Sequence, residues 1–491
     1  MNGRGESDSR VVAGKSPNKV RNRAAEGMEP RRLAKRNSSE RNMARTQSRS
    51  LSMSHALARV RDVARRKEVT KFTALYHHVY NVEHLRAAYA ELKPKAAAGV
   101  DGVTWAQYGE DVEANLADLS ERLRRKAYRA KPVRRVMIPK ADGGERPLGV
   151  TSLEDKIVQK VATQLLEAVY EPGFKPFSYG FRPGRGPHDA LDALTVALKR
   201  RKVNWVLDAD IRGFFDSLSH EWLVKFVEHR ISDRYFVRLI RKWLKAGVLS
   251  EGEWAVQDEG TPQGAGISPA LANVYLHYVL DEWVQAWRKR QAHGDVIIVR
   301  YADDFVMGFE HRTDAERLQK ELAERLKRFD LELNPRKTRL IEFGRHAARN
   351  RKERAEGKPE TFDFLGFTHI SGKTRRGAFQ VWRRTMRKKM RAKLASLKLE
   401  LRRRMHEPIP EVGRWLGKVL GGHYRYYGVH LNTQALHSFR DRLTRLWYNT
   451  LRRRSQTGRV RWERMRALIQ RWLPIPKVYH PWPELRYGVV T

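Results

Sequence analysis

Two apolar runs joined by adjacent acids, DVIIVRYADDFVMGF at residues 295–309, constrain this chain more than any other stretch. The runs are short and rich in β-branched and aromatic residues, so the pattern predicts a β-hairpin that turns at YADD. Burying an unpaired charge is costly. Asp303 and Asp304 therefore sit either in a solvated turn or where strong positive charge meets them. A second apolar run, VNWVLDADIRGFFD at residues 203–216, also ends in carboxylates, with Asp210 at the strand end and Asp216 further along. If these strands are neighbours, Asp210 and Asp303 converge, with Asp304 alongside. Such a cluster repels itself unless divalent cations neutralise it.

The surrounding sequence alternates helix and strand. Helical periodicity marks HALARVRDVARRK, EHLRAAYAELK, DVEANLADLSERLRRKAY and EDKIVQKVATQLLEAVY. VRRVMIPKADGGERPLGV predicts two strands around a tight turn at Asp142-Gly143-Gly144. GEWAV is a short strand, and GTPQGAGISP is a loop before a long helix expected from Ala270 to about Arg288. Helices flank Trp222 to Trp243, and DAERLQKELAERLKRF is a clean amphipathic helix. LELNPRKTRLIEF and FDFLGFTHI supply further strands. After Lys373 the chain is expected to turn largely helical, and its tail WLPIPKVYHPWPELRYGV to lie extended over a neighbour. The fold class is α+β in the middle and all-α at the end.

Charge narrows the function. The 491 residues carry 98 Lys and Arg against 56 Asp and Glu, a net charge of +42. So much self-repulsion points to a polyanionic partner: nucleic acid first, an anionic membrane surface second. Residues 371–491 hold 30 of the cations and 6 of the acids, interleaved with Trp and Tyr, a mixture that suits bases and phosphates. A generically basic helical surface is the competing reading. There is no cysteine, which excludes disulfides and Cys-ligated zinc or iron–sulfur sites. No apolar run of about 18 residues predicts a transmembrane helix, and the basic N-terminus lacks the apolar core of a secretory signal. Residues 1–53 are too poor in large apolar groups to bury a core and are expected to be disordered.

The acid cluster suggests a chemistry. Mg²⁺ takes one or two protein carboxylates and completes its shell with water and phosphate oxygens. Two such ions about 3.5–4 Å apart form the clamp used for in-line nucleotidyl transfer. Other residues fall where this chemistry needs them. Lys140 and Arg146, on opposite arms of a hairpin, suit a triphosphate, although surface cations fit equally well. Gly264 and Gly266 let backbone approach a nucleotide, and Gln263 is able to hydrogen-bond sugar or base; a plain helix-entry loop is the alternative. Phe215 is either a wall against a 2′-hydroxyl or simply core. Lys337 in NPRKT is either a proton donor to leaving pyrophosphate or structural.

YADDFVMG, DADIRGFFD, GTPQGAGISPALANVYL, IPKADGGERPLGV and LNPRKT occur in the order and spacing of reverse transcriptases. With AGVDGVT and FLGFTHI, the chain from about His55 onward resembles the group II intron-encoded reverse transcriptase/maturase family. The resemblance implies a right-hand polymerase, with fingers and an antiparallel palm sheet over 54–372. It implies an all-α thumb/maturase domain over 373–450 and a basic nucleic-acid-binding tail over 451–491. It implies that Asp210, Asp303 and Asp304 hold two Mg²⁺ ions, aided by the Ile211 carbonyl, and that Lys140, Arg146, Phe215 and Gln263 contact the dNTP. Arg383, Arg384, Lys388, Lys389, Arg425 and Tyr426 fall in the region that grips nucleic acid. The implied activity is RNA-directed DNA synthesis on an RNA template with a DNA primer. It would be coupled to splicing of the intron RNA and to priming at target DNA, in a bacterial, cytoplasmic, nucleoid-associated ribonucleoprotein. Many relatives end in an HNH endonuclease with Cys pairs, and its absence is expected here. A splicing-only RNA-binding protein and a domesticated or defence-associated reverse transcriptase are the alternatives.

Overall fold

The computed structural model describes residues 55–66, 71–139, 145–250, 253–255, 259–260, 264–454 and 460–486. The expected disordered extension 1–53, the Asp142-Gly143-Gly144 turn, Lys140 and Gln263 lie outside them. Within the described residues the chain is α+β, with eleven strands in three sheets. The strands are β1 (Val133–Pro139), β2 (Glu145–Val150), β3 (Trp205–Ala209), β4 (Val248–Ser250), β5 (Glu253–Ala255), β6 (Val296–Tyr301), β7 (Asp304–Phe309), β8 (Arg339–Glu342), β9 (Thr361–Phe364), β10 (Phe367–Lys373) and β11 (Phe379–Thr385).

The central sheet has the order β6-β7-β3-β8, antiparallel throughout. Successive side chains on a strand point to opposite faces. Val296 and Ile298 of β6, Leu207 of β3, and Phe305 and Met307 of β7 therefore enter one core. Ile297, Val299, Val206 and Val306 enter another. A sheet covered on both faces reads as continuous apolar runs, which is why these strands are conspicuous in the sequence. The first core is filled by the helices Leu153–Tyr170 and Ser268–Leu276, among others. The second is filled by the helix Pro187–Arg200 and the sheet β11-β10-β9. A proline at the first helical position marks where that helix begins. The remaining sheet, β2-β1-β4-β5, is built on the β1–β2 hairpin, whose register runs from Arg134 opposite Val150 to Pro139 opposite Glu145.

A third core binds the C-terminal helices Arg387–Arg403, Ile409–Tyr427, Thr433–Arg452 and Trp462–Trp472. Their buried residues recur at three- and four-residue spacing: Leu394, Leu397 and Leu401, then Val412, Leu416, Leu420 and Tyr424.

Two expectations need correction. The chain does not turn helical at Lys373. It reverses through Gly377, at φ +84°, and returns as β11 before the first basic helix opens at Arg387. Cations on both faces of β11 hide its alternation, because Arg383 points inward and Arg384 outward. The long helix is also not uniform. It runs as Ser268–Leu276 and Glu282–Arg290 around a π-helical turn, His277–Asp281.

The tail folds back on the chain. The amides of Tyr479 and His480 donate to the Gly428 carbonyl at 2.8 and 3.2 Å. The His480 ring stacks on His188 with centroids 3.6 Å apart, and Trp482 stacks on His430. Glu484 pairs with Lys199, and Arg486 with Asp189 and Asp192, all three partners lying on the helix Pro187–Arg200.

Candidate active site

The β3–β7 register pairs Trp205 with Phe309 and Ala209 with Phe305. Asp210 follows Ala209 and Asp304 precedes Phe305, so both acids stand just past the last pair at the same end of the sheet, with Asp303 in the turn before Asp304. Directly opposed residues of an antiparallel pair have Cβ atoms about 4.5–5.5 Å apart, and like charges there destabilise the sheet. The convergence expected of Asp210 and the YADD pair thus follows from strand pairing alone.

The turn is tight. Tyr301 pairs with Asp304, so Ala302 and Asp303 make a two-residue connection. Ala302 adopts φ +58°, a region that favours glycine at the first position of such a turn. The segment Phe177–Gly180 braces it. The Arg300 amide donates to the Phe177 carbonyl at 2.9 Å, and the Tyr179 amide to the Arg300 carbonyl at 2.8 Å. A Cβ on Gly180 would lie 2.2 Å from the Ala302 amide nitrogen, so only glycine fits there.

Asp210 Oδ2 accepts from Asn334 Nδ2 and from Lys337 Nζ, both at 3.0 Å. The Asn334 amide donates to the Asp210 carbonyl at 2.8 Å and the Arg212 amide to Glu332 at 2.9 Å. These bonds frame the bridge between Ile211 and Leu333 and do not draw on the Ile211 carbonyl. Loss of hydration raises the Asp304 carboxyl to about 6, with repulsion from Asp303 and then Asp210 adding to it, while Lys389 and Lys337 pull the other way. Asp304 nonetheless stays open to solvent at its tip. Desolvation and Asp210 also raise Asp303, opposed by Arg300 and Lys337. Desolvation raises Asp208, on β3, to about 6, against the pull of Arg339 at 3.5 Å.

Among the described residues no three His, Cys, Asp or Glu side chains stand grouped to hold a metal as they are. Asp210 is engaged by Lys337 and Asn334 instead. The donor chemistry still fits a hard divalent ion, which needs one or two carboxylates. Three mutually repelling aspartates at one strand end form a site that a cation relieves.

The other candidates fall around this point. Phe215 is partly buried, edge-on to the fully packed Phe214. Arg146 pairs through its backbone with Ile138 on the hairpin. Gly264, at φ +111°, passes so close to β2 that a Cβ would lie 2.6 Å from the Gly149 carbonyl. Gly264 therefore lies against the hairpin that carries Arg146. Lys388 and Lys389 are exposed on the first turn of the helix Arg387–Arg403, whose Leu394, Leu397 and Leu401 face inward. Arg425 is exposed. Arg384 lies over Trp382 and bonds Gln434. Arg383 does not share this surface. It is buried, 2.6 Å from Asp192. Tyr426 is half-buried, its hydroxyl donating to the Leu365 carbonyl at 2.7 Å.

Sequence reasoning missed Arg300, Asn334 and Asp208. Arg300 had a signal, a lone cation inside an apolar strand. Asn334 had none, since its partner lies far away in the chain.

Residues 138–369 match the family described as reverse transcriptase (RNA-dependent DNA polymerase). The chain thus contains a reverse transcriptase domain. Over 214 residues it is 35% identical to the group II intron-encoded protein LtrA of Lactococcus lactis, 43% of this chain and 35% of that protein. Over 254 residues it is 35% identical to the protein YkfC of Escherichia coli, 45% and 66%. Over 163 residues it is 44% identical to an uncharacterized 91 kDa protein in the cob intron of Schizosaccharomyces pombe, 33% and 20%. Two of these relatives are named for introns, and it is the reverse transcriptase segment of this chain that is similar to them. The matched segments span between about a fifth and two thirds of these relatives' own length. No helix among the described residues is long and apolar enough to cross a membrane.

Proposed function

We propose that this protein is an RNA-directed DNA polymerase that binds a group II intron RNA, assists its splicing and copies it from a primer supplied by target DNA. The observation that carries the reading is the β3–β7 register, which ends at Ala209 opposite Phe305 and so brings Asp210 to the end of the sheet where Asp303 and Asp304 turn. In this reading the central sheet is the palm, the region around the β1–β2 hairpin the fingers, and the C-terminal helices the thumb.

Asp210, Asp303 and Asp304 would hold two Mg²⁺ ions, with the Ile211 carbonyl as a further ligand. When bound, the metals lower the pKa of the attacking 3′-hydroxyl and steady the triphosphate. Phe215, partly exposed and five residues after Asp210 in the chain, packs against the sugar and disfavours a 2′-hydroxyl. Arg146, Lys140 and Gln263 receive the dNTP. Lys337, 3.0 Å from Asp210 in the metal-free chain, would serve as the proton donor to pyrophosphate. The cations of the helix Arg387–Arg403 neutralise the phosphates of the template–primer duplex, and Lys389 among them acts electrostatically on Asp304. The splicing role rests on the relatives' names, among them a nuclear intron maturase of Arabidopsis thaliana, 30% identical over 142 residues.

The test is primer extension on a homopolymer RNA template with Mg²⁺. Wild type extends, and Asp303→Ala loses at least ~10³-fold in rate with RNA affinity nearly unchanged, as expected when the group that organises charge at the reacting centre is removed. Wild type that splices but incorporates nothing would favour the binding-only reading.

A further inference from the structure

We propose that Arg300 is a positioning residue for this site: its buried guanidinium, held by Asp281 and Asn273, fixes the Ala302–Asp303 turn so that the acids keep the geometry a cation needs. The inference rests on the polymerase reading above and goes beyond it.

Arg300 sits in β6 between Val299 and Tyr301 and, like Asp281, is fully buried. Its Nε and Nη2 fork onto the two Asp281 oxygens at 2.8 and 2.5 Å. Its Nη1 donates to Asn273 Oδ1 at 3.1 Å and to the Ala302 carbonyl at 2.9 Å. Asn273 in turn donates from Nδ2 to the Gly180 carbonyl at 2.8 Å, and Gly180 is the glycine pressed against the Ala302 amide. One guanidinium thus grips the turn from its carbonyl side and, through Asn273, steadies the backbone that closes it from the amide side.

Two features argue for more than stability. A non-glycine residue at positive φ persists only where its surroundings over-determine it, and Ala302 is such a residue. The partners, moreover, are brought together by an irregularity. Asn273 and Asp281 are eight residues apart, which in a regular α-helix separates them by about 80° around the axis. The π-helical turn His277–Asp281 absorbs one residue, so the interval behaves as seven and the separation falls to about 20°. The helix is deformed where deformation lets both side chains reach one arginine. A buried ion pair of this kind is often dispensable for stability when replaced by apolar groups of similar volume, so its placement on the turn is what needs explaining.

The test compares Arg300→Lys with wild type. Lysine keeps the charge but loses the fork. Three quantities are read: the single-turnover incorporation rate at saturating template–primer and dNTP, the template–primer Kd, and Mn²⁺ binding to the free protein followed by electron paramagnetic resonance. The expected result is a rate lower by about 10²-fold, as for a misplacement of about 1 Å at a reacting centre. Mn²⁺ affinity falls with it, and template–primer Kd stays within about threefold. Asn273→Ala, which keeps the ion pair and removes one support, gives the same pattern in weaker form and serves if Arg300→Lys does not fold. A rate and Mn²⁺ affinity within about threefold of wild type in a folded variant would overturn the proposal. So would losses of rate and Kd in equal proportion, since that is what a merely structural role produces. Wild type that binds Mn²⁺ but extends no primer removes the polymerase reading, and the Mn²⁺ comparison still decides the role of Arg300.

Discussion

Asp192 and the Asp210–Asp303–Asp304 cluster handle negative charge in opposite ways. Asp192 is fully buried, and two guanidinium groups close on it: Arg383 at 2.6 Å and Arg486 at 3.1 Å. The three aspartates at the strand ends meet no arginine in direct contact. Among the described residues the cation in contact with the cluster is the exposed Lys337 on Asp210, while Lys389 acts on Asp304 and the buried Arg300 on Asp303 through the field alone. Arginine offers a fixed fork, and lysine a point charge that swings away. Where a carboxylate holds elements together, the chain matches it with rigid donors. Where carboxylates stand at the candidate site, it leaves them under-neutralised and lets their counter-charge move.

The largest expected effect breaks the matched case. Asp192→Ala strands Arg383 in the interior and removes a tie to the tail, so unfolding free energy should drop by roughly 3–5 kcal/mol, as for other buried pairs that lose one member. Urea denaturation reads it directly. Loss below about 1 kcal/mol would mean that the two regions do not differ as described.

Next in size is the pH response of the unmatched case. The Asp304 carboxyl stands at about 6 in the folded chain, above the ordinary Asp value of about 3.9 expected when unfolded. Between those values the folded state binds more protons, so the group's contribution to stability falls as pH rises from about 4 to about 6 and then levels off. Asp304→Asn should remove that part of the slope and leave the variant more stable than wild type at neutral pH. Asp208, also raised to about 6, leaves a residual slope of the same sign. Urea midpoints across this range compare the two proteins, and parallel curves would refute the assignment.

The smallest effect belongs to the lysines. Lys389→Ala should change stability by less than about 1 kcal/mol, as exposed pairs do. It should also reduce the salt dependence of RNA binding by close to one phosphate contact. An unchanged salt slope would remove Lys389 from the nucleic-acid surface.

The same contrast explains what could be read in advance. Short-range signals located β3, β6 and β7, because a sheet buried on both faces leaves unbroken apolar runs, and they located the acids that end them. The β1–β2 hairpin showed in its glycine-punctuated alternation. Much of what escaped depends on partners far along the chain. Arg383 read as one more surface cation, because Asp192 lies 191 residues away. β11 escaped for a local reason, since cations on both its faces hide the alternation. The π-helical turn lies between Asn273 and Asp281, whose shared partner Arg300 no local periodicity reveals.

The central claim is that the strand-end acids are under-neutralised and await a divalent cation. Thermal unfolding of the free protein at neutral pH, with and without millimolar Mg²⁺, tests it most directly when wild type is set beside Asp303→Asn. The account predicts that Mg²⁺ raises the wild-type midpoint by several degrees, and that the variant starts higher and responds little. Equal Mg²⁺ shifts in both proteins, or a variant less stable than wild type without metal, would contradict it.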